Sequence, residues 1–264
     1  MDANSVQEFS ELLNRMLLPE NEERKSAEET YESLPIDQRA KLLLGLAITN
    51  ESNMESRKLA LVLLRRLLSN SWEELVPALP PDHMEAFKAE LLQAVQVTTD
   101  PGLRKKFADV VAEVARSALD EEDQQKWPAV LKFLFDCANS DSIELKEVAL
   151  LIIESVPNIF GNQQAHYISV IKDMLAQSLT LQGSKDVRGA AVRATSAFLI
   201  DNEGDTAILK SFGDLLPAIL VVCNECAEED DGDDVVFQCL VDLATSLPKY
   251  LRSRLNDIFT LCLK

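Results

Sequence analysis

A basic residue followed three positions later by a small or apolar one recurs along this chain, each time near the start of an amphipathic helical segment. The series is Arg24-Lys-Ser-Ala27, Arg57-Lys-Leu-Ala60, Arg104-Lys-Lys-Phe107, Lys146-Glu-Val-Ala149 and Arg188-Gly-Ala-Ala191, with Val235-Val-Phe-Gln238 as a degenerate sixth member. The intervals between successive marks are 33, 47, 42, 42 and 47 residues. A recurrence of this length means stacked supersecondary units, none of which buries its apolar face alone.

Each unit reads as two helices. The expected segments run from Ser5, as N-cap of a capping box with Glu8, to Leu18; then 21–34, 37–49, 56–70 and a short helix over 72–79. Asp82 is expected to cap a helix to Val97, and Asp100-Pro101 to open one ending near Leu119. Further helices are expected over 127–138, 142–156, 162–181, 186–201, 206–226 and 234–247, with one more beginning at Leu251. No alternating strand pattern interrupts them. A two-helix unit of about 40–47 residues is the HEAT/armadillo spacing rather than the tetratricopeptide one. The expected fold is therefore all-α: an α-solenoid of HEAT repeats, about six antiparallel helix pairs in a right-handed superhelical arch, forming one domain over residues 1–264.

The helix 56–70 illustrates the unit. Leu59, Ala60, Leu63, Leu64 and Leu67 gather on one side, and Lys58, Val62, Arg65 and Ser69 line the other, with Arg66 at its margin. Equivalent stripe positions are Lys25, Glu29 and Glu32 in the first unit, and Lys105, Asp109 and Glu113 in the third, beside Lys106. The fourth unit offers Glu147, Leu151 and Glu154, and the fifth Gly189, Arg193 and Ser196. These second helices are expected on the concave side, where solenoids present binding surfaces.

Other signals narrow the function by exclusion. A formal charge of −18 disfavours nucleic acid, whose phosphates demand positive faces, and favours basic partners. Residues 201–234 hold 11 acidic side chains against Lys210 alone, so Glu228, Glu229, Asp230, Asp231, Asp233 and Asp234 form a candidate surface for a basic partner. No P-loop, dinucleotide fingerprint, nucleophile elbow or zinc-protease motif occurs, and His83 and His166 stand apart from other catalytic residue types. The acidic run fails as a calcium loop because Ala227 would occupy its first ligand position. No catalytic residue, metal or cofactor is expected. Without a signal sequence or a sufficiently long apolar run, no membrane insertion is expected. Cys137, Cys223, Cys226, Cys239 and Cys262 read as reduced thiols of a cytoplasmic or nuclear protein.

Several irregular stretches resemble importin-β-type nuclear transport receptors. They are Ala27-Glu-Glu-Thr-Tyr-Glu-Ser-Leu-Pro35, Leu61-Val-Leu-Leu-Arg-Arg-Leu-Leu-Ser69, Val76-Pro-Ala-Leu-Pro80 and Lys126-Trp-Pro-Ala-Val-Leu-Lys-Phe-Leu-Phe-Asp136. Pro157-Asn-Ile-Phe-Gly-Asn-Gln-Gln-Ala-His-Tyr167, Phe212-Gly-Asp-Leu-Leu-Pro217 and Leu247-Pro-Lys-Tyr-Leu251 follow in the same order. The resemblance implies an N-terminal fragment of a longer, shuttling receptor. Its implied partners are the small GTPase Ran in its GTP form, basic cargo such as ribosomal proteins or histones, and nucleoporins. Arg57, Ala60 and Leu64 match the family's Ran-binding segment, with Arg65 at the usual Lys, Trp72 at a trailing Trp, and Arg66 where Asn is common. The implied Ran-binding set is Lys25, Glu29, Glu32, Lys58, Val62, Arg65, Arg66, Lys106, Asp109 and Glu113. The alternative is a HEAT-repeat scaffold subunit of a multiprotein complex, indifferent to nucleotide state.

Overall fold

The computed structural model describes residues 3–50, 52–228 and 234–263. They form two compact units, Met1–Ser117 and Ala118–Lys264. The first contains α1 (Ala3–Met16), α2 (Asn21–Ser33), α3 (Ile36–Ile48), α4 (Met54–Ala78), α5 (Pro81–Val97) and α6 (Pro101–Ser117). Consecutive helices pair as α1 with α2, α3 with α4, and α5 with α6, and α4 also packs on α6. That second neighbour widens the buried arc of α4. Ala60, Leu64 and Leu67 are buried as the periodicity predicts, but so are Leu61 and Leu68, while Leu59 and Leu63 are half-buried.

Helix ends follow local chemistry, with three departures from the sequence reading. Asp100 Oδ1 accepts from the Leu103 amide at 2.7 Å, and Asn53 Oδ1 from the Glu55 amide at 2.9 Å, both as N-caps should. Helix α1 starts at Ala3, so Ser5 lies within it rather than capping it. Pro80 precedes α5, and Asp82 falls in its first turn, where its charge complements the helix dipole. The two helices expected over 56–70 and 72–79 are continuous but for a kink at Ser71 (φ −139°, ψ 27°).

Three of the five recurring basic residues share one structural reason, whereas Arg24 bonds to Asn21 on its own helix and Arg188 pairs with Glu225. Arg57 Nε donates to the carbonyl of Ala47 at 2.9 Å, in the last turn of α3. Arg104 Nη2 donates to the carbonyl of Thr98, the C-cap of α5. In the second unit Lys146 Nζ donates to the carbonyl of Ala138, the last residue of α7, at 2.9 Å. A helix leaves its last four carbonyls without intrahelical donors and carries partial negative charge there. A cation from the returning helix satisfies one of them and ties the pair together.

The second unit contains α7 (Pro128–Ala138), α8 (Ile143–Ser155), α9 (Gln164–Leu179), α10 (Lys185–Asp201), α11 (Thr206–Ser211), α12 (Leu216–Ala227), α13 (Asp234–Ser246), α14 (Pro248–Leu251) and α15 (Leu255–Cys262). Here α7 pairs with α8, α9 with α10, and α12 with α13. Helix α10 is sandwiched between α8 and α13, which buries Gly189 and Ser196. The stripe expected on the fifth unit is therefore interior except at Arg193, which pairs with Glu154 at 3.1 Å. Residues 206–227 are apolar enough overall to cross a membrane. A 3-10 turn over Gly213–Leu215 splits them, with Pro217 in the first turn that follows. The 12 residues of α12 extend only about 18 Å, against the ~30 Å of a bilayer core. Among the described residues the only β-type pairing is an isolated bridge between Leu119 and Gln125. That bridge closes a turn in which Asp123 (φ 56°) lies against Gly161 (φ 49°). The Asn162 amide donates to the Asp123 carbonyl at 2.8 Å. All five cysteines are free thiols, and burial pushes those of Cys137 and Cys223 up to about 12.

Candidate functional site

In the first unit, the residues that resemble the family's Ran-binding segment divide by exposure. Ala60 and Leu64 are wholly buried, and Arg57 is 8 % exposed with its guanidinium committed to α3. Burial lowers the Arg57 pKa, opposed by the nearby Asp100 carboxylate. These three residues seat α4. What α4 offers to solvent is half-exposed Lys58, bonded to Glu55 at 3.1 Å, together with exposed Val62, Arg65 and Arg66.

Helix α6 meets this surface beside Arg65. Glu113, buried in the core-facing side of α6, accepts from Arg116 at 2.8 Å, and its carboxylate lies 3.8 Å from Arg65 Nε. Glu113 is thus an internal anchor between two arginines rather than an open acidic position like Glu29 or Glu32. One turn earlier, Asp109 is half-buried. Burial raises its pKa, while Arg65 and then Lys106 pull it back down. Arg65, Lys106, Asp109 and Glu113 therefore form one electrostatic cluster across α4 and α6.

On the other flank, α2 presents Lys25, Glu29 and Glu32, all exposed. Glu32 and Arg66 line a cleft between α2 and α4 with Tyr31, Arg39, Leu63, Leu67, Asn70 and Ser71. Sequence reasoning missed Arg39, Tyr31 and Arg116. The three-residue step from Glu113 to Arg116 signals the last of these. Arg39 comes from α3 through tertiary packing and carries no local mark. In the second unit, Glu228 and Asp234 are exposed at the ends of α12 and α13. Glu229, Asp230, Asp231 and Asp233 lie outside the described residues. Among the described residues no group of His, Cys, Asp and Glu is arranged to hold a metal ion.

The raised pKa of Asp109 has a definite sign. The folded chain holds that proton more tightly than the unfolded one, so the ionised carboxylate costs stability at neutral pH. Asp109→Asn is expected to melt at or above the wild-type temperature at neutral pH. The difference should close as the pH falls and the wild-type carboxyl itself becomes protonated. Melting below wild type at neutral pH would mean that attraction to Arg65 and Lys106 outweighs burial.

Two family models match this chain: "IPO5-like, TPR repeats" over residues 99–261 and "Importin-beta N-terminal domain" over residues 32–97. Importin-4 of Mus musculus is 27% identical over 172 residues, covering 64% of this chain and 15% of its own. Importin subunit beta-1 of Arabidopsis thaliana is 26% identical over 265 residues, covering 91% of this chain and 28% of its own. The crystal structure of Kap121p bound to RanGTP superposes with a TM-score of 0.79 at 19% identity, over 98% of this chain and 24% of that one. The chain thus spans less than a third of the length of each. The fold is the α-solenoid of HEAT repeats found in karyopherins. With the IPO5-like model alone spanning more than half of its residues, the chain belongs to the importin-β family of nuclear transport receptors.

Proposed function

We propose that this chain is the Ran-GTP-binding part of a nuclear import receptor, that it shuttles between cytoplasm and nucleus, and that binding of Ran-GTP discharges cargo in the nucleus. The observation that carries this reading is the mixed-charge face of α2, α4 and α6, where Arg65 and Asp109 belong to one cluster and Arg66 and Glu32 line one cleft. Alternating signs suit a charged, specific protein partner, because complementary charges steer encounter and reject mismatched surfaces. The match to Kap121p in its RanGTP complex supports the same partner. The net charge of −18 supports basic cargo such as ribosomal proteins or histones. Nucleoporins are further partners on this reading.

The test is a titration of Ran loaded with GTP or with GDP, at physiological salt. Wild type is expected to bind the GTP form selectively. Arg65→Glu combined with Asp109→Arg should weaken that binding about tenfold or more while leaving the helical circular dichroism unchanged. The double change is chosen so that the new arginine supplies a cation to Glu113. Unchanged affinity would remove this face as the site. Equal recovery of both nucleotide forms would favour a scaffold that ignores nucleotide state.

A further inference from the structure

Two arginines, Arg39 and Arg66, line the cleft between α2 and α4 together with one carboxylate, Glu32. The Arg39 guanidinium lies over the Tyr31 ring, 5.6 Å from its centroid, and its Nε is buried without a hydrogen-bond partner. Arg66 reaches the same cleft from α4. Both act on the Tyr31 hydroxyl, lowering a pKa that burial raises. Among the described residues neither Arg39 nor Arg66 forms an ion pair, although acids outnumber bases 44 to 26 in the chain. Elsewhere Arg24, Arg65, Arg116, Arg188, Arg193 and Arg254 each have an acidic partner.

The cleft measures about 170 Å³, and Asn70 and Ser71 add polar groups to its wall at the α4 kink. Leu63 and Leu67 supply an apolar side, which reduces solvent screening of a charge placed within. Two guanidiniums on one cleft wall suit a planar carboxylate, which arginine binds in a bidentate manner. Glu32, also in the lining, opposes a dianion such as a phosphate group.

We propose that this cleft receives an Asp or Glu side chain of the bound GTPase, with Arg39 and Arg66 as its ligands. The inference rests on the function proposed above and adds Arg39, from α3, to a surface otherwise assembled from α2, α4 and α6. Arg39 lies over the Tyr31 ring, and Arg66 joins the same lining from α4.

The test compares wild type, Arg39→Gln, Arg39→Lys and Arg66→Gln in titrations with Ran-GTP over a range of salt concentrations. Arg39→Gln and Arg66→Gln are each expected to weaken binding about tenfold and to flatten its salt dependence. Arg39→Lys should retain the salt dependence but lose part of the affinity, because lysine is a point charge without the planar fork. A merely structural role for Arg39 would lower the melting temperature without changing the salt dependence of binding, which overturns the proposal. Wild-type affinity and salt dependence in both Gln variants overturn it too. A wild-type chain that binds neither nucleotide form removes the underlying function and this inference together. A wild-type chain that selects GTP while the variants match it removes the cleft alone.

Discussion

Gly161→Ala is expected to cost about 3 kcal/mol or more of stability, several times the effect of the same substitution at Gly183. Both glycines occupy the left-handed region, at φ +49° and +81°, where a side chain costs about 1 kcal/mol or somewhat more. Their surroundings differ. At Gly183 an added Cβ meets nothing within 4 Å, so backbone strain is the whole penalty. At Gly161 the Cβ would stand 1.8 Å from the Asp123 carbonyl oxygen, an approach that only backbone movement can relieve. That same oxygen accepts the Asn162 amide at 2.8 Å, so moving it also loses a hydrogen bond. The turn between Leu119 and Trp127 would have to shift, and Trp127 is buried. Urea denaturation of the two variants checks this. Equal losses at the two sites would mean that the turn yields freely.

Arg57→Met should lower the unfolding free energy by about 2 kcal/mol. Methionine keeps most of the apolar stem, so the loss isolates the guanidinium. The charged hydrogen bond to the Ala47 carbonyl disappears, and that carbonyl, on a wholly buried residue, is left without its side-chain donor. Relief of the cost of burying the charge offsets part of this, consistent with the lowered Arg57 pKa. Arg57→Lys should recover a fraction of the difference. The binding readout is as informative as the stability one. Arg57 is 8 % exposed, so on the function proposed above Ran-GTP affinity per folded molecule should stay at the wild-type value. A specific loss of affinity in Arg57→Met would mean that this residue does more than seat α4.

Much of the architecture is legible because its causes are local. Pro19 and Pro35 end or separate helices, Asp100 and Ser142 cap them, and Leu and Ala periodicity identifies each inner face. Misreadings arise where two local signals compete. Asp82 resembles a cap, but two prolines before it already fix the helix start at Pro81. The stretch 206–226 reads as one helix by apolarity, yet the sequence Phe212-Gly-Asp-Leu-Leu-Pro217 contains both breakers that divide it. Site residues are less legible for a different reason. A helix wheel identifies Arg65 and Asp109 as outward-facing, but only packing of α4 on α6 reveals that they share one cluster with buried Glu113. Arg39 is the extreme case: it belongs to α3 and lies over Tyr31 of α2, a contact that only folding makes.

The reach of the basic clamp bears on how this chain tolerates changes in length. Arg57, Arg104 and Lys146 bond to carbonyls only 10, 6 and 8 residues earlier, always within one helix pair. Nothing in that bond constrains how far away the next pair begins. Residues can therefore be gained or lost between pairs without disturbing a clamp, and the clamped residues stand 47 and then 42 positions apart. An irregular period is thus compatible with pairs that are each fastened from within.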